Sequence, residues 1–533
     1  MQSVPRTGSF LDEVRTRLGP DAVALDEARL RAAGRNVEGF DVRVPALIRA
    51  RSTAEVQAVI QAANAWRQPL HPFSRGRNWG YGTRLGPDPD AVLLDLSGLT
   101  GLRLDLDNGA AWIEPGVTQA QLAAALEGTP FYADVTGSSA DTSVLGNTLE
   151  RGVAYNSLRA DALRQLEVVL GDGTLLRTGF GHYPHSALGA LYRHGVGPDL
   201  TPLFLQSNYG VVTGATVALR PRPERQLTFR AGLRDPAQLP AFIRALSDLK
   251  RALGMDSIVH VGDRARALST VGPVARARAE ALGTSLTRAE TEALVGRIVT
   301  SPWTALGVLE GTRGQVAAGR RALQRALRPF GPVRFDAWRG MDRVARVAGW
   351  LGWTRVHALA WAVRELAGLT RGVPTRETLR SVHWPLQEDS PTWACPEQGP
   401  AGWLLFTPLM PARDGTVREA LAELARITAA HDTPASVTLN LLTDAVLEAV
   451  VSLTFPLDDA AARDRAHAAC DALHRTFVAR GWMPYRTTRA HHDTLHTPGD
   501  PFWEVTARLK DVLDPNGILS PGRYVPARGP RVR

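Results

Sequence analysis

Apolar and polar positions alternate along the chain in a way that predicts three successive regions. Residues 9–33 read as two short helices, with Phe10, Leu11, Val14 and Leu18 at helical spacing, then Val23, Leu25 and Leu30. Between 43 and about 101 the pattern runs strand, helix, strand, glycine-rich loop, strand, the last strand being 91–96. Ser52-Thr53-Ala54-Glu55 has the form of a helix N-cap, opening a helix that reaches Trp66. Strands are predicted at 102–106 and 111–114, a helix at 118–126, a hairpin over 166–177 about a Gly-Asp-Gly turn, and a strand at 211–219. Pro221 and Pro223 mark a boundary.

Beyond that boundary the rhythm changes. A strand at 227–233, a helix at 237–253 and a strand at 257–261 are followed by the same unit at 303–310, 314–328 and 332–337. It returns as strand 402–407, helix 416–431, strands 435–442 and 446–455, and a closing helix at 458–480. Repeats of this kind predict a large antiparallel sheet covered by helices, so the expected class is α+β. Residues 338–400, rich in Trp, Arg and Pro, are expected to form a loose helical region shaping a cavity or a subunit contact. From 485 the chain is expected to return to the first region, with a helix at 501–513 ended by the turn Asp514-Pro515-Asn516-Gly517.

With 533 residues there is room for two or more domains. An apolar share of 44% and a charged share of 22% belong to a globular protein. The net charge is +9, yet the arginines are scattered and form no basic tract, which argues against nucleic-acid binding. Lys250 and Lys510 are the only lysines. Cys395 and Cys470 make neither a disulfide framework nor a metal cluster. The first residues lack a signal-peptide core, and no apolar run has membrane-spanning length, so a cytoplasmic protein without a membrane partner is expected. His491-His492-Asp493 with His496 looks metal-like, but adjacent histidines rarely face one ion and no metal is expected.

The stretch with most chemical promise is Ser74-Arg75-Gly76-Arg77-Asn78-Trp79-Gly80-Tyr81-Gly82, directly after an apolar run at 68–73. Three glycines permit positive φ, consecutive N–H groups can make an anion-binding nest, and two arginines add charge. The alternative is an ordinary glycine-rich turn. No helical pattern follows directly, so the loop is not a Rossmann fingerprint.

The context of this loop resembles the vanillyl-alcohol oxidase and p-cresol methylhydroxylase family of flavoproteins. The resemblance rests on 43–56 upstream, Glu114-Pro115-Gly116-Val117-Thr118, 145–153, Gln206-Ser207-Asn208-Tyr209-Gly210-Val211-Val212-Thr213 and 514–522, in the family's order over almost the whole chain. It implies a two-part FAD-binding domain, residues 1–224 and 483–533, with an inserted antiparallel-sheet cap at 225–482. It implies FAD held by Ser74, Arg75, Gly76, Arg77, Asn78, Trp79 and Gly80. A second set is Gly137, Ser138, Ser143, Val144, Gly146 and Asn147, and a third Asn208, Gly210, Val211, Val212 and Asn516. By the same resemblance Tyr81, Tyr485 and Arg486 surround the oxygen of a para-substituted phenol. Two phenolic donors and a guanidinium favour phenolate, which eases hydride loss at the benzylic carbon. The competing role for Tyr485 and Arg486 is architectural.

Two departures stand out. Family members with a catalytic aspartate carry it in an Asp-x-x-Asp segment; here Asp134 matches the first, while the second falls on Gly137 or Ser138, leaving Asp141 as the substitute carboxylate. Where relatives carry a flavin-linking histidine, this chain has Asn78 in the glycine loop and Glu448 and Ala449 in a strand, so non-covalent FAD is expected. The expected activity is FAD-dependent oxidation of a phenol, with dioxygen or a redox protein as acceptor and a homodimer as one option. Two alternatives are kept: a 2-hydroxy acid dehydrogenase in which Arg486 grips a carboxylate, and a flavin-binding subunit without turnover.

Overall fold

Ser52 begins the first α/β step as the spacing predicts. Its hydroxyl accepts the N–H of Glu55 at 3.2 Å, the helix Thr53–Trp66 follows, and Arg67 ends it in the left-handed region at φ 53°. In this computed structural model, residues 4–336, 338–386 and 395–526 are described. The helix packs on a four-stranded sheet in the order Val23–Ala24, Leu47–Arg49, Val92–Asp95, Leu70–Phe73, the last three strands parallel. A five-stranded antiparallel sheet follows: Leu102–Asp105, Ala110–Ile113, Gly210–Ala218, Leu163–Leu170, Leu175–Arg177. Val169 and Val211 of this second sheet share one apolar core with Ile48, Ile60, Leu70 and Leu94 of the first.

The large antiparallel sheet has eight strands, in the order Val333–Asp336, Arg225–Leu233, Trp303–Gly311, Val259–Asp263, Ala435–Leu441, Val446–Pro456, Ala401–Pro411, Pro484–Arg486. Period-two alternation sorts its faces. Val259, Val261, Val437, Leu439, Leu447, Ala449, Val451, Leu404 and Phe406 enter a core with the helices Leu239–Leu253, Arg313–Leu327, Asp414–Ala430 and Ala460–Ala479. The residues between them, including His260, Asn440, Glu448, Ser452, Trp403, Leu405 and Thr407, occupy the opposite face. That face meets the first region: Leu405 N–H donates to Gly80 O at 3.3 Å and Trp403 N–H to Val37 O at 2.7 Å.

Three expectations change. The region after 338 is a formed hairpin, helices Trp338–Trp350 and Thr354–Gly368, packed on a helix Arg264–Ala281 that the hydrophobic pattern did not reveal. Arg278 of that helix lies 5.1 Å from the Trp361 ring. Residues 387–394 of the same expected stretch lie outside the described residues. Strand Pro484–Arg486 is hydrogen-bonded to Ala401–Pro411, so residues 484–486 still belong to the large sheet. The return to the first sheet comes later: Leu70 N–H donates to Ile518 O and Ser520 N–H to Leu70 O, both at 2.8 Å.

Candidate functional site

Strand Leu70–Phe73 delivers the glycine loop into a cleft between the first two sheets and the polar face of the large one. The cleft has a cavity volume of about 260 Å³. Gly76, Gly80 and Gly82 all have positive φ. At Gly80 a Cβ would stand 2.7 Å from Leu405 Cγ, so only glycine lets the loop touch the large sheet. Buried Glu38 fixes the loop's far end, accepting the N–H of Gly82 at 2.8 Å and the Thr83 hydroxyl at 3.0 Å; burial pushes its carboxyl up to about 7. The N–H groups of Arg75 and Gly76 meet no acceptor among the described residues.

A second wall is the short helix Val144–Leu149. Ser143 caps it, accepting the Gly146 N–H at 2.9 Å, and its own hydroxyl donates to Pro115 O at 2.6 Å. A Cβ on Gly146 would lie 2.3 Å from Ser74 Oγ, so the helix and the glycine loop meet at a position open only to glycine. Asn208, Gly210, Val211 and Val212 form a third wall. Asn147 Oδ1 and Asn208 Oδ1, on two of these walls, are buried and have no partner. Unmet acceptors in a cleft lined by Arg75, Arg77, Arg486 and Arg523 suit a long ligand carrying both donors and anionic groups.

Among the anticipated residues, Ser74, Arg75, Gly76, Arg77, Asn78, Trp79, Tyr81, Ser138, Ser143, Gly146, Asn147, Asn208, Gly210, Val211, Val212 and Arg486 line this cleft. Gly80 touches Leu405 behind it. Val144 is buried in the core of the second sheet. Asn516 does not reach the cleft: its amide donates to Asn64 Oδ1 at 2.6 Å and pins the last turn to the first helix of the α/β step. Asp141 is held by Arg376 through two hydrogen bonds, 2.6 and 2.9 Å, which lower its pKa together with the charges of Arg77 and Arg75, and it does not line the cleft. Asp134 is an internal staple, accepting from Ser157 at 2.8 Å and from the Asn156 N–H at 3.0 Å.

Arg486 is the electrostatic centre. Its Cζ lies 4.3 Å from the centre of the Tyr81 ring, one terminal nitrogen donates to Asn78 Oδ1, and Glu150 stands 3.6 Å away. Its Nε is buried and unpaired. Burial pushes Tyr81 up to about 12, with Arg486 pulling against it, and the hydroxyl bonds Thr407 Oγ1 at 3.1 Å. Tyr485 does not line the cleft; its hydroxyl donates to Arg151 O, and burial raises its pKa.

Several site groups went unnoticed in the sequence. Glu150 would be raised by burial, but Arg523 and Arg486, with hydrogen bonds from Arg523 and Tyr524, hold it at about 2. Glu448, on the polar face of the large sheet, is pushed up to about 7 by burial, against the Asn440 hydrogen bond and the charge of Arg486. His71 is kept neutral, burial driving it down to about 3, and bonds Ser520 Oγ at 3.0 Å. Glu150 had a signal in its place inside the 145–153 block, and Glu448 in standing where relatives carry a linking histidine, but neither carboxylate's electrostatic role was read from it. The metal-like histidines are engaged otherwise: His491 bonds Asp471 and Thr488 at 2.8 and 2.6 Å, and His492 bonds Thr487 at 2.8 Å. Among the described residues no cluster could hold a metal ion, and no helix is long and apolar enough to cross a membrane.

Comparisons agree with this geometry. A family model described as an FAD binding domain matches residues 44–179. A 1'-carboxy-chondrochloren decarboxylase from Chondromyces crocatus is 31% identical, covering 96% of each chain. The flavoprotein subunit of 4-cresol dehydrogenase (hydroxylating) from Pseudomonas putida is 25% identical, over 96% of this chain and 94% of its own. A 4-ethylphenol oxidase from Gulosibacter chungangensis, solved with isoeugenol, superposes with a TM-score of 0.84 at 25% identity, covering 100% of this chain and 99% of that one.

Proposed function

We propose, on the premise that this chain belongs to the vanillyl-alcohol oxidase and p-cresol methylhydroxylase family of FAD-linked oxidoreductases, that it oxidises a para-substituted phenol at the carbon attached to the ring. The protein is an FAD-dependent oxidoreductase. The glycine loop and Arg75 and Arg77 would hold the pyrophosphate, and Asn147 and Asn208 offer unmet acceptors to the rest of the cofactor. Bound FAD supplies the acceptor for a hydride.

The observation that carries the phenol reading is Arg486 over Tyr81 with a buried, unpaired Nε. Tyr81 stays protonated at neutral pH, so it donates to the substrate oxygen while Arg486 balances the phenolate charge. Electron density from the phenolate moves to the para position and weakens the benzylic C–H bond. Tyr485 ties the strand that carries Arg486 to the Arg151 carbonyl. A neighbouring oxidase and a relative that is a dehydrogenase leave dioxygen and a redox protein as the two acceptors.

One observation favours a second outcome for the quinone methide. The loop at Gly137 offers no free carboxylate, since Asp141 is bound to Arg376, and water attack lacks a base there. An intermediate with a carboxylate on the next side-chain carbon needs no base. It loses carbon dioxide, the electron pair of the breaking C–C bond forms the new double bond, and the ring returns to phenolate. A decarboxylase relative fits that outcome.

Anaerobic mixing with 4-ethylphenol and with D-lactate tests the reading. The flavin band should bleach with the phenol and not with lactate; bleaching by lactate alone would replace phenol oxidation with hydroxy acid oxidation.

A further inference from the structure

Three polar residues stand in one cross-strand row on the face of the large sheet that meets the first region. His260 is opposite Asn440, and Asn440 is opposite Glu448. His260 Nδ1 lies 2.8 Å from Asn440 Oδ1, and Asn440 Nδ2 donates to Glu448 Oε2 at 2.8 Å. The Glu448 end feels the charge of Arg486. The His260 end is covered by the ring of Tyr155, centroids 4.9 Å apart.

At that far end the groups lack partners. His260 Nε2 is buried with no hydrogen bond, and burial keeps the ring neutral, down to about 4. An unmet acceptor in dry surroundings marks a missing ligand group. The Tyr155 hydroxyl stands beside Gly137, where a Cβ would lie 3.3 Å from it, and the next residue, Ser138, lines the cleft. Arg266, third residue of the helix Arg264–Ala281, is close enough to Tyr155 to act on its charge. Asp263 accepts the Arg266 backbone N–H at 2.6 Å, but the guanidinium makes no hydrogen bond or ion pair among the described residues. Asp263 supplies a nearby negative charge, yet the guanidinium's N–H fork holds no hydrogen-bonded acceptor, and a carboxylate is the complement that fits it.

Resting on the phenol reading, we propose that Arg266 and Tyr155, beside His260, form a second anchoring site that binds a carboxylate on the para side chain. The preferred substrates are then 4-hydroxyphenyl-substituted carboxylic acids rather than plain alkylphenols. Arg486 meets the phenol oxygen and Arg266 meets the acid. The strand Pro484–Arg486, which carries Arg486, and Val259–Asp263, which leads into the helix of Arg266, are four spacings apart in the sheet, about 19 Å at about 4.8 Å each. Two long arginine side chains and one small phenolic acid together span that distance.

The holoenzyme is titrated anaerobically with 3-(4-hydroxyphenyl)propanoate and with 4-propylphenol, which share the ring and chain length and differ in charge. Affinity comes from the concentration dependence of bleaching, or from the flavin band shift where no bleaching occurs. The acid should bind at least about tenfold tighter than the neutral phenol, and Arg266→Met should cut that preference by about ten- to a hundredfold. Arg266→Lys, keeping the charge, should retain part of it. Equal affinity for the two probes, or equal loss of both in Arg266→Met, overturns the subsite. Failure of both probes to bleach the flavin overturns phenol oxidation instead, and leaves an Arg266-dependent acid preference standing.

Discussion

Arg486 stacks over Tyr81 in the wall of the cleft, the guanidinium carbon 4.3 Å from the ring centre, although they are far apart in sequence and ride on the large sheet and on the glycine loop. The pair acts as one unit, since the arginine both orients the ring and restrains the rise of its pKa. Arg486→Ala should slow flavin reduction by 4-ethylphenol about ten- to a hundredfold, the scale of one charge-assisted hydrogen bond. Stopped-flow reduction checks this beside a thermal melt. An unchanged reduction rate assigns Arg486 to architecture.

Asn78 accepts from Arg486 and Ala449 is buried in the core, so neither position can bond the flavin covalently. Acid precipitation should release all yellow colour into the supernatant. Colour kept in the washed pellet would point to Cys395, whose Sγ lies 3.3 Å from Arg77 Nη1.

Gly146→Ala places a carbon 2.3 Å from Ser74 Oγ, in a contact that something must yield to. The expected result is a folded protein with weakened flavin retention, read from the ratio of 450 to 280 nm absorbance after gel filtration. Full flavin content would show that Ser74 moves aside at no cost.

Glu448 has a folded pKa near 7, above the ordinary value of 4.5 for a glutamate. Between those values the folded state binds more protons than the unfolded one, so this group's contribution to stability falls as pH rises from about 4.5 to 7. Glu448→Gln should therefore stabilise the protein at pH 8 relative to pH 5, compared with the native chain. Parallel melting curves at the two pH values check the sign, and a difference that does not change with pH refutes it.

Asp141→Asn should leave the product unchanged, because the carboxylate is engaged by Arg376 through both oxygens and does not line the cleft. Product analysis in isotopic water measures it. A drop in solvent oxygen incorporated by the variant would restore Asp141 as a base.

The large sheet and both glycine-lined walls were legible because each is built from local pattern: alternation along strands, and small residues where backbones touch. The helix Arg264–Ala281 was hidden because it has Pro273 in its interior and only a weak apolar stripe. Tyr485 and Asp141 were placed at the site by resemblance, and the structure engages their polar atoms with partners that lie 334 and 235 residues distant in sequence. Glu448 was noted only as standing where relatives carry a linking histidine, and Arg266 was not noted at all, for a related reason. A lone Glu in an apolar strand and one Arg among 60 gain meaning only from what the fold sets opposite them.

The closing turn of the chain completes the very sheet that carries the glycine loop. Leu70 is flanked by Ile518 and Ser520, His71 bonds the Ser520 hydroxyl, and the Lys510 ammonium bridges Asn208 O, Leu519 O and Asp514. A ribosome releases residue 70 long before residue 520, so during synthesis the strand before the glycine loop waits with an open edge while the whole large sheet is made. Cofactor capture is then a late event, after residues 518–520 have emerged, and until then the nascent chain carries an unpaired parallel edge, the condition under which such chains aggregate. Expression with added chaperone should raise the flavin-loaded fraction more than the total yield.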